Sequence, residues 1–216
     1  MKTAPHPVIR SGILLGLIAL LGTSLLAGVN SLTRDRIIEQ DRLRVLQQLN
    51  EIVPVTLYNN DLLEDSIEVE DAAAFRHPAP VTVYRARMEN QPVAVMMTVT
   101  APDGYNGDIR LLIAIDTTGT VLGVRVVSHR ETPGLGDPIE LGKSNWILGF
   151  TDRSLLNPPD KGWAVKRDGG EFDQFTGATI SPRAVVKAVH RTLLYFETNR
   201  QLLFATAAMK ANQDDN

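Results

Sequence analysis

The sequence predicts an α+β protein: a single N-terminal transmembrane helix followed by a mostly antiparallel-sheet domain with flanking helices. Three observations predict it. From Ser11 to Thr33 no residue is charged, and Leu, Ile, Ala and Gly dominate. Between Val81 and Ser128 lie β-type runs joined in pairs by connections short enough to imply antiparallel hairpins. After Ser181 the pattern becomes helical, with one apolar stripe. A chain of 216 residues that is 44% hydrophobic fits one globular domain plus something smaller.

Residues 1–10 are short and mildly basic, with Lys2 and Arg10. The uncharged run at 11–33 is roughly 34 Å long as a helix, enough to cross a bilayer core. A cleaved signal peptide is the competing reading. Against it, the run is long, and Leu25 sits badly at −3 if cleavage followed Ala27. Leu26-Ala27-Gly28 is followed by Val29, not the cysteine that a lipoprotein site modifies. Arg34, Arg36, Arg42 and Arg44 offset Lys2 and Arg10, so positive charge alone leaves the orientation unresolved. Residues 34–80 read as a juxtamembrane helix and an acidic connector. Ile38, Leu46, Leu49 and Val53 share one face of a helix over Asp35–Val53, and Asn59–Pro80 ends in His77-Pro78-Ala79-Pro80.

Four strands are predicted, at Val81–Arg87, Val93–Ala101, Ile109–Asp116 and Val121–Ser128. The loop Gly104-Tyr105-Asn106-Gly107 between the two pairs has glycines that permit a sharp bend or close approach to a ligand. After the fourth strand, His129-Arg130-Glu131-Thr132-Pro133-Gly134-Leu135-Gly136-Asp137-Pro138 forbids regular structure. Leu135 stands alone among turn formers, so this loop is either a tight corner or a surface for a flat ligand. Pro138 starts a predicted helix through Trp146 and Phe150. A short strand at Trp163–Lys166 and a turn at Asp168-Gly169-Gly170 follow. In the last helix Val185, Ala188, Val189, Thr192, Leu193 and Phe196 form the buried stripe, with Arg183, Lys187 and Arg191 outside it. The domain runs over residues 81–206, and 207–216 form a polar tail.

Several chemistries are excluded. With no cysteine there is no disulfide, zinc-thiolate site, Cys-ligated iron–sulfur cluster or Cys nucleophile. Any redox role then needs a cofactor without sulfur ligands. A net charge of −3, with the arginines of 34–44 interleaved with acids, gives no nucleic-acid surface. The run from Asp137 to Gly142-Lys143-Ser144 ends like a P-loop, but an acid stands where the motif begins with glycine, and Pro138 has no amide to donate. The four histidines, His6, His77, His129 and His190, lack metal-ligand spacing. No Gly-x-Ser-x-Gly elbow is present.

The stretch from Asp173 to Ser181, Asp-Gln-Phe-Thr-Gly-Ala-Thr-Ile-Ser, carries the most pointed chemistry. Two hydroxyls, Thr176 and Thr179, flank Gly177 and Ala178, and an acid stands three residues before the first. Ser181 suits an N-cap and Pro182 a first helical position. Thr179 is thus expected just upstream of a helix N-terminus, where free amides and the helix dipole favour a phosphate. An ordinary capped helix after a small-residue turn reads equally well from this stretch alone.

The apolar anchor, the motif His129 to Gly136 and the motif Asp173 to Ser181 together resemble the G subunit of the Rnf (or Rsx) ion-translocating electron-transport complex of bacteria. The related C subunit of the sodium-pumping NADH:quinone oxidoreductase is the nearest rival. The resemblance covers nearly the whole chain. It implies an FMN-binding domain behind one membrane helix, with FMN joined through its phosphate to the Thr179 hydroxyl. It also implies a Mg-dependent flavin transferase that makes this bond from FAD and releases AMP. Thr176, Gly177 and Ala178 complete the attachment motif, and Asp173 is its acidic position, expected to serve recognition by the transferase. Leu135 is expected to pack along the isoalloxazine, and Glu131 and Thr132 to meet its polar edge. No catalytic residue and no metal are expected on this subunit, an electron carrier within an oxidoreductase. The resemblance further implies a cytoplasmic segment 1–10, a periplasmic flavin domain and an inner-membrane location. The partners implied are the other subunits of the complex, the transferase and the lipid bilayer, with no nucleic acid. Two other readings stay open: an anchored assembly subunit without a working flavin, and a soluble exported FMN protein if the anchor is cleaved.

Overall fold

The computed structural model describes residues 7–205. The expected polar tail, and the first residues of the basic N-terminal segment, lie outside them. The chain divides into two units, Met1–Val45 and Leu46–Asn216. The first is helical. Helix α1 runs over Pro7–Asn50, and within it Ile9–Gly28 is long and apolar enough to cross a membrane. Leu14, Leu15, Ile18 and Leu21 are exposed along it, as a lipid-facing helix requires. Thr23 satisfies its hydroxyl by donating to Ala19 O (2.7 Å).

The second unit is built on a five-stranded antiparallel meander in chain order: β1 (Ser66–Val69), β2 (Val81–Met88), β3 (Gln91–Ala101), β4 (Ile109–Asp116) and β5 (Val121–Ser128). The predicted β4 and β5 coincide with the observed ones, and β2 and β3 are extended by a residue or two. Successive side chains alternate faces. Val83, Val95, Met97, Leu111, Ile113 and Ile115 pack with Val185, Val189, Leu193 and Phe196 of helix α3 (Ile180–Phe204). The opposite face is buried too. Ala94, Met96, Leu112 and Ala114 have no more than 2% exposure, and Ile52 seats on Gly123, where an added Cβ would stand 2.7 Å from it. Burial on both faces explains why β3 and β4 read as nearly continuous apolar runs.

Four expectations need correction. The acidic stretch Asn59–Pro80 is more than a connector: it contains edge strand β1, paired Ser66↔Tyr84 through Val69↔Val81, and a one-turn helix α2 (Ala72–Phe75) capped by Asp71. The helix expected from Pro138 is instead two 3₁₀ turns, Asp137–Ile139 and Asn145–Phe150. Ser144 divides them, donating to Pro138 O (2.6 Å) and accepting from Trp146 N (3.2 Å). The strand expected at Trp163–Lys166 is a single bridge, Val165↔Phe172, between 3₁₀ turns. Trp163 is buried, but in an aromatic cluster with Phe150 and Phe172 (ring centroids 6.4 and 5.2 Å away) rather than in a ladder. Finally, α3 starts at Ile180, with Thr179 and not Ser181 at the N-cap.

The far end of α3 is held by two arginines of β2. Arg87 donates to Phe204 O (2.9 Å) and Arg85 to Ala205 O, so cations meet the negative end of the helix dipole. Both guanidiniums are buried, and Asp65 bridges them, with Arg87 Nε at 2.7 Å.

Candidate functional site

Two loops meet at the N-terminal end of α3. One follows β5. Its Thr132 carbonyl accepts from Leu135 N (3.1 Å) and Gly136 N (3.0 Å), and Gly134 N donates to Asp137 Oδ1 (2.6 Å). Asp137, the acid that spoils the P-loop pattern, is buried by this turn and pairs with Lys143 at 3.7 Å. The turn leaves the Leu135 side chain 49% exposed, which is what makes it available to a ligand.

The second loop runs from Asp173 to Thr179. Trp146 anchors it: the indole Nε1 donates to Asp173 O (2.8 Å), and the ring meets Phe175 edge-on at 5.3 Å. Ala178 N closes a turn on Phe175 O (3.1 Å), with Gly177 at φ +81°. A side chain at 177 would meet only Leu135, at 3.9 Å, so glycine is required there by backbone conformation rather than by space.

Glu131 joins the loops from beneath. Its carboxylate is buried, accepting from Asn106 N (3.0 Å) on one oxygen and from the Ser181 hydroxyl on the other. Asn106 also donates from its side chain to Thr132 Oγ1 (3.0 Å). Gly136 has to be small here, since a Cβ would stand 2.7 Å from Ser181 Oγ and 2.9 Å from Glu131 Oε2. Ser181 therefore gives its hydroxyl to a residue 50 positions away and not to a cap. That tertiary bond is why the local Ser-Pro signal misplaces the helix start.

Between the loops lies a cleft of about 220 Å³ lined by Tyr105, Glu131, Thr132, Leu135, Gly136 and residues 177–181. The fold thus brings Glu131, Thr132, Leu135, Gly177, Ala178 and Thr179 together. Thr176 is exposed outside the lining, and Asp173 is exposed and paired with Lys166 (2.7 Å). Thr179 is half-buried, in helical conformation (φ −83°, ψ −25°), and its hydroxyl makes no cap bond. Among the described residues its hydroxyl has one hydrogen-bond partner, Arg167 Nη1 at 3.4 Å. The amides of Ile180 and Ser181 have no acceptor among the described residues, and Pro182 has none to offer. The cleft therefore presents the Thr179 hydroxyl, held only by Arg167, two amides without an acceptor among the described residues, and an exposed apolar side chain.

The structure adds Tyr105, Asn106, Trp146 and Arg167 to the site and gives Ser181, expected as an N-cap, a tertiary partner instead. Only Ser181 and the Gly104–Gly107 loop had a local signal. Arg183, on the first turn of α3, grips Asp168 with two bonds (2.6 and 2.8 Å) and holds that carboxyl below its ordinary value.

Comparison with known proteins finds two matching families. The FMN-binding domain family matches residues 104–194, and the RnfG N-terminal region family matches residues 1–52. The G subunit of the ion-translocating oxidoreductase complex of Shewanella loihica is 51% identical over 91% of this chain and 92% of its own length. The protein of the same name from Pseudomonas aeruginosa is 48% identical over 92% of each chain. That of Photorhabdus laumondii is 51% identical over 88% of this chain and 90% of its own.

Proposed function

The chain belongs to the family of G subunits of ion-translocating oxidoreductase complexes, and from that premise we propose that it carries electrons on an FMN bound covalently to Thr179. Membership makes it an FMN-binding redox subunit of a membrane complex; the attachment site and the topology are our reading. The observation that carries it is the state of Thr179. Its hydroxyl sits on the rim of the cleft with no capping duty, beside two unbonded amides at the positive end of a 25-residue helix. A phosphate ester needs those features together.

The residues fit the group. Gly177 and Ala178 keep the approach to Thr179 clear, leaving room for a transferase to deliver the flavin, and exposed Asp173 offers that enzyme a recognition point. Leu135 lies across the cleft, suited to packing on a planar apolar ring. Glu131 serves the site indirectly: it ties the Gly136 turn to Ser181 and so fixes the width of the cleft. Thr132 holds Asn106 in the same way. FMN supplies the electron transfer, and the protein supplies orientation and electrostatics. At about 220 Å³ the cleft is below the usual range for a whole ligand site of about 300–1,000 Å³, so part of the flavin would remain accessible to a redox partner. We place the flavin domain on the periplasmic side of the inner membrane, behind the uncleaved span Ile9–Gly28 and a cytoplasmic segment 1–10, working with the other subunits of its complex.

Peptide mass spectrometry of the native protein tests the attachment. Cleavage after Arg167 and Arg183 frees one peptide holding both threonines, and we expect the FMN mass on Thr179. On a denaturing gel the band should fluoresce, lose fluorescence in Thr179→Ala and keep it in Thr176→Ala. Stability of Thr179→Ala should change by less than about 0.5 kcal/mol, because the hydroxyl caps nothing. An unmodified native peptide would leave the assembly-subunit reading standing.

A further inference from the structure

Building on the attachment reading, we propose that Arg167 is the counter-cation of the phosphate carried on Thr179. The turn Lys166–Asp168 addresses the attachment motif at successive residues. Lys166 pairs with Asp173 (2.7 Å), the Arg167 amide donates to Gln174 Oε1 (3.2 Å), the Arg167 guanidinium donates to Thr179 Oγ1 (3.4 Å), and Asp168 holds Arg183 (2.6 Å). Three cations therefore surround the motif, and two are neutralised by carboxylates. Arg167 is the third, and among the described residues its guanidinium has no carboxylate partner.

A guanidinium with no carboxylate in ion-pair contact among the described residues, bonded to a hydroxyl that caps nothing, is matched to an anion carried on that hydroxyl. Esterification would put the unesterified phosphate oxygens two bonds beyond the atom that Arg167 already reaches. Its planar fork of donors suits two of those oxygens at once. The helix end by itself is short of donors there, since Pro182 removes one amide of the first turn. Arg167 supplies full charge where the helix supplies only partial charge. It also separates the two threonines, because Thr176, on the exposed outer side of the turn, has no cation on its hydroxyl among the described residues.

The test uses the full-length chain co-expressed with a flavin transferase, as wild type, Arg167→Gln and Arg167→Lys. Covalent flavin per polypeptide is followed over time, and ³¹P spectra are taken of the loaded fraction. Arg167 is exposed, so both variants should melt with the wild type. We expect Arg167→Gln to load about tenfold more slowly, as loss of one charge-assisted hydrogen bond predicts, with Arg167→Lys in between. The ³¹P resonance of loaded Arg167→Gln should be displaced from that of wild type. Slow loading with an unmoved ³¹P signal would make Arg167 a recognition point for the transferase and overturn the counter-cation role, as would loading at the wild-type rate with an unmoved signal. A wild-type chain that stays unmodified would overturn the attachment reading itself, and this one with it.

Discussion

At its C-terminal end α3 is held by two buried guanidiniums locked by a shared carboxylate, whereas at its N-terminal end two amides have no acceptor among the described residues and the Thr179 hydroxyl caps nothing. The same helix dipole acts at both ends, and the fold answers it differently. Arg85 and Arg87 stand on the core face of β2, in line with Val81 and Val83, so the sheet itself carries the cations to the last carbonyls. The opposite end rests on Glu131, which takes Ser181 and Asn106 N but leaves the first turn open toward the cleft. Anchoring α3 at one end lets the other end face a ligand without loosening the helix.

The largest effect that would sharpen this contrast is Asp65→Ala. It leaves two buried arginines without their carboxylate and should cost about 3–5 kcal/mol in urea unfolding, as breaking a buried ion pair does. The folded fraction should still accept flavin at Thr179, since the two ends are served by separate residues. A cost below about 1 kcal/mol would break the comparison, by showing that the arginines need no partner to hold the helix.

Next is Ser181→Ala at the open end. It strips Glu131 of a donor while leaving the carboxylate buried, and should cost about 1–3 kcal/mol. Hydrogen exchange should quicken at residues 131–136 and 176–181 and stay unchanged at 200–205. Uniform quickening along α3 would mean that the ends are not independent.

The smallest effect belongs to the middle of the helix. His190 stacks on Trp163 (centroids 5.3 Å apart, planes at 4°), and burial holds its pKa below the ordinary value despite Asp160 at 3.3 Å. Burial depresses the folded value, so the unfolded chain binds the proton more readily. The neutral ring's contribution is therefore intact above about pH 6.5 and is lost as pH falls below it. His190→Gln should flatten stability between about pH 7.5 and 5.5 without changing either end. An unaltered pH profile would remove His190 as its source.

Much of this was legible in the sequence. β4 and β5 coincide with their predicted spans because alternation and tight turns are local signals. β1 escaped because Ser66-Ile-Glu-Val is a short, half-polar edge that exists by pairing with β2. The Pro138 helix failed because the Ser144 side chain bonds Pro138 O in place of a helical ladder. Residue type and spacing marked out the turn with Thr176, Gly177 and Thr179 and the lone Leu135, and the family resemblance pointed to Thr179, while Trp146 and Arg167 carried no such mark, since nothing near them in the chain indicates their partners.

The sequence by itself determined the apolar span, the two antiparallel hairpins and the small-residue turn with its two hydroxyls, all patterns contained within a few residues. Tertiary structure alone decided which hydroxyl lines the cleft and what surrounds it: Ser181 given to Glu131, 50 residues away, α3 closed by an arginine 117 residues from its last carbonyl, and Arg167 brought to Thr179. The physical reason is that periodicity is a property of neighbours along the chain, whereas the partner of a charge or a hydroxyl is chosen by proximity after the sheet and helix have packed.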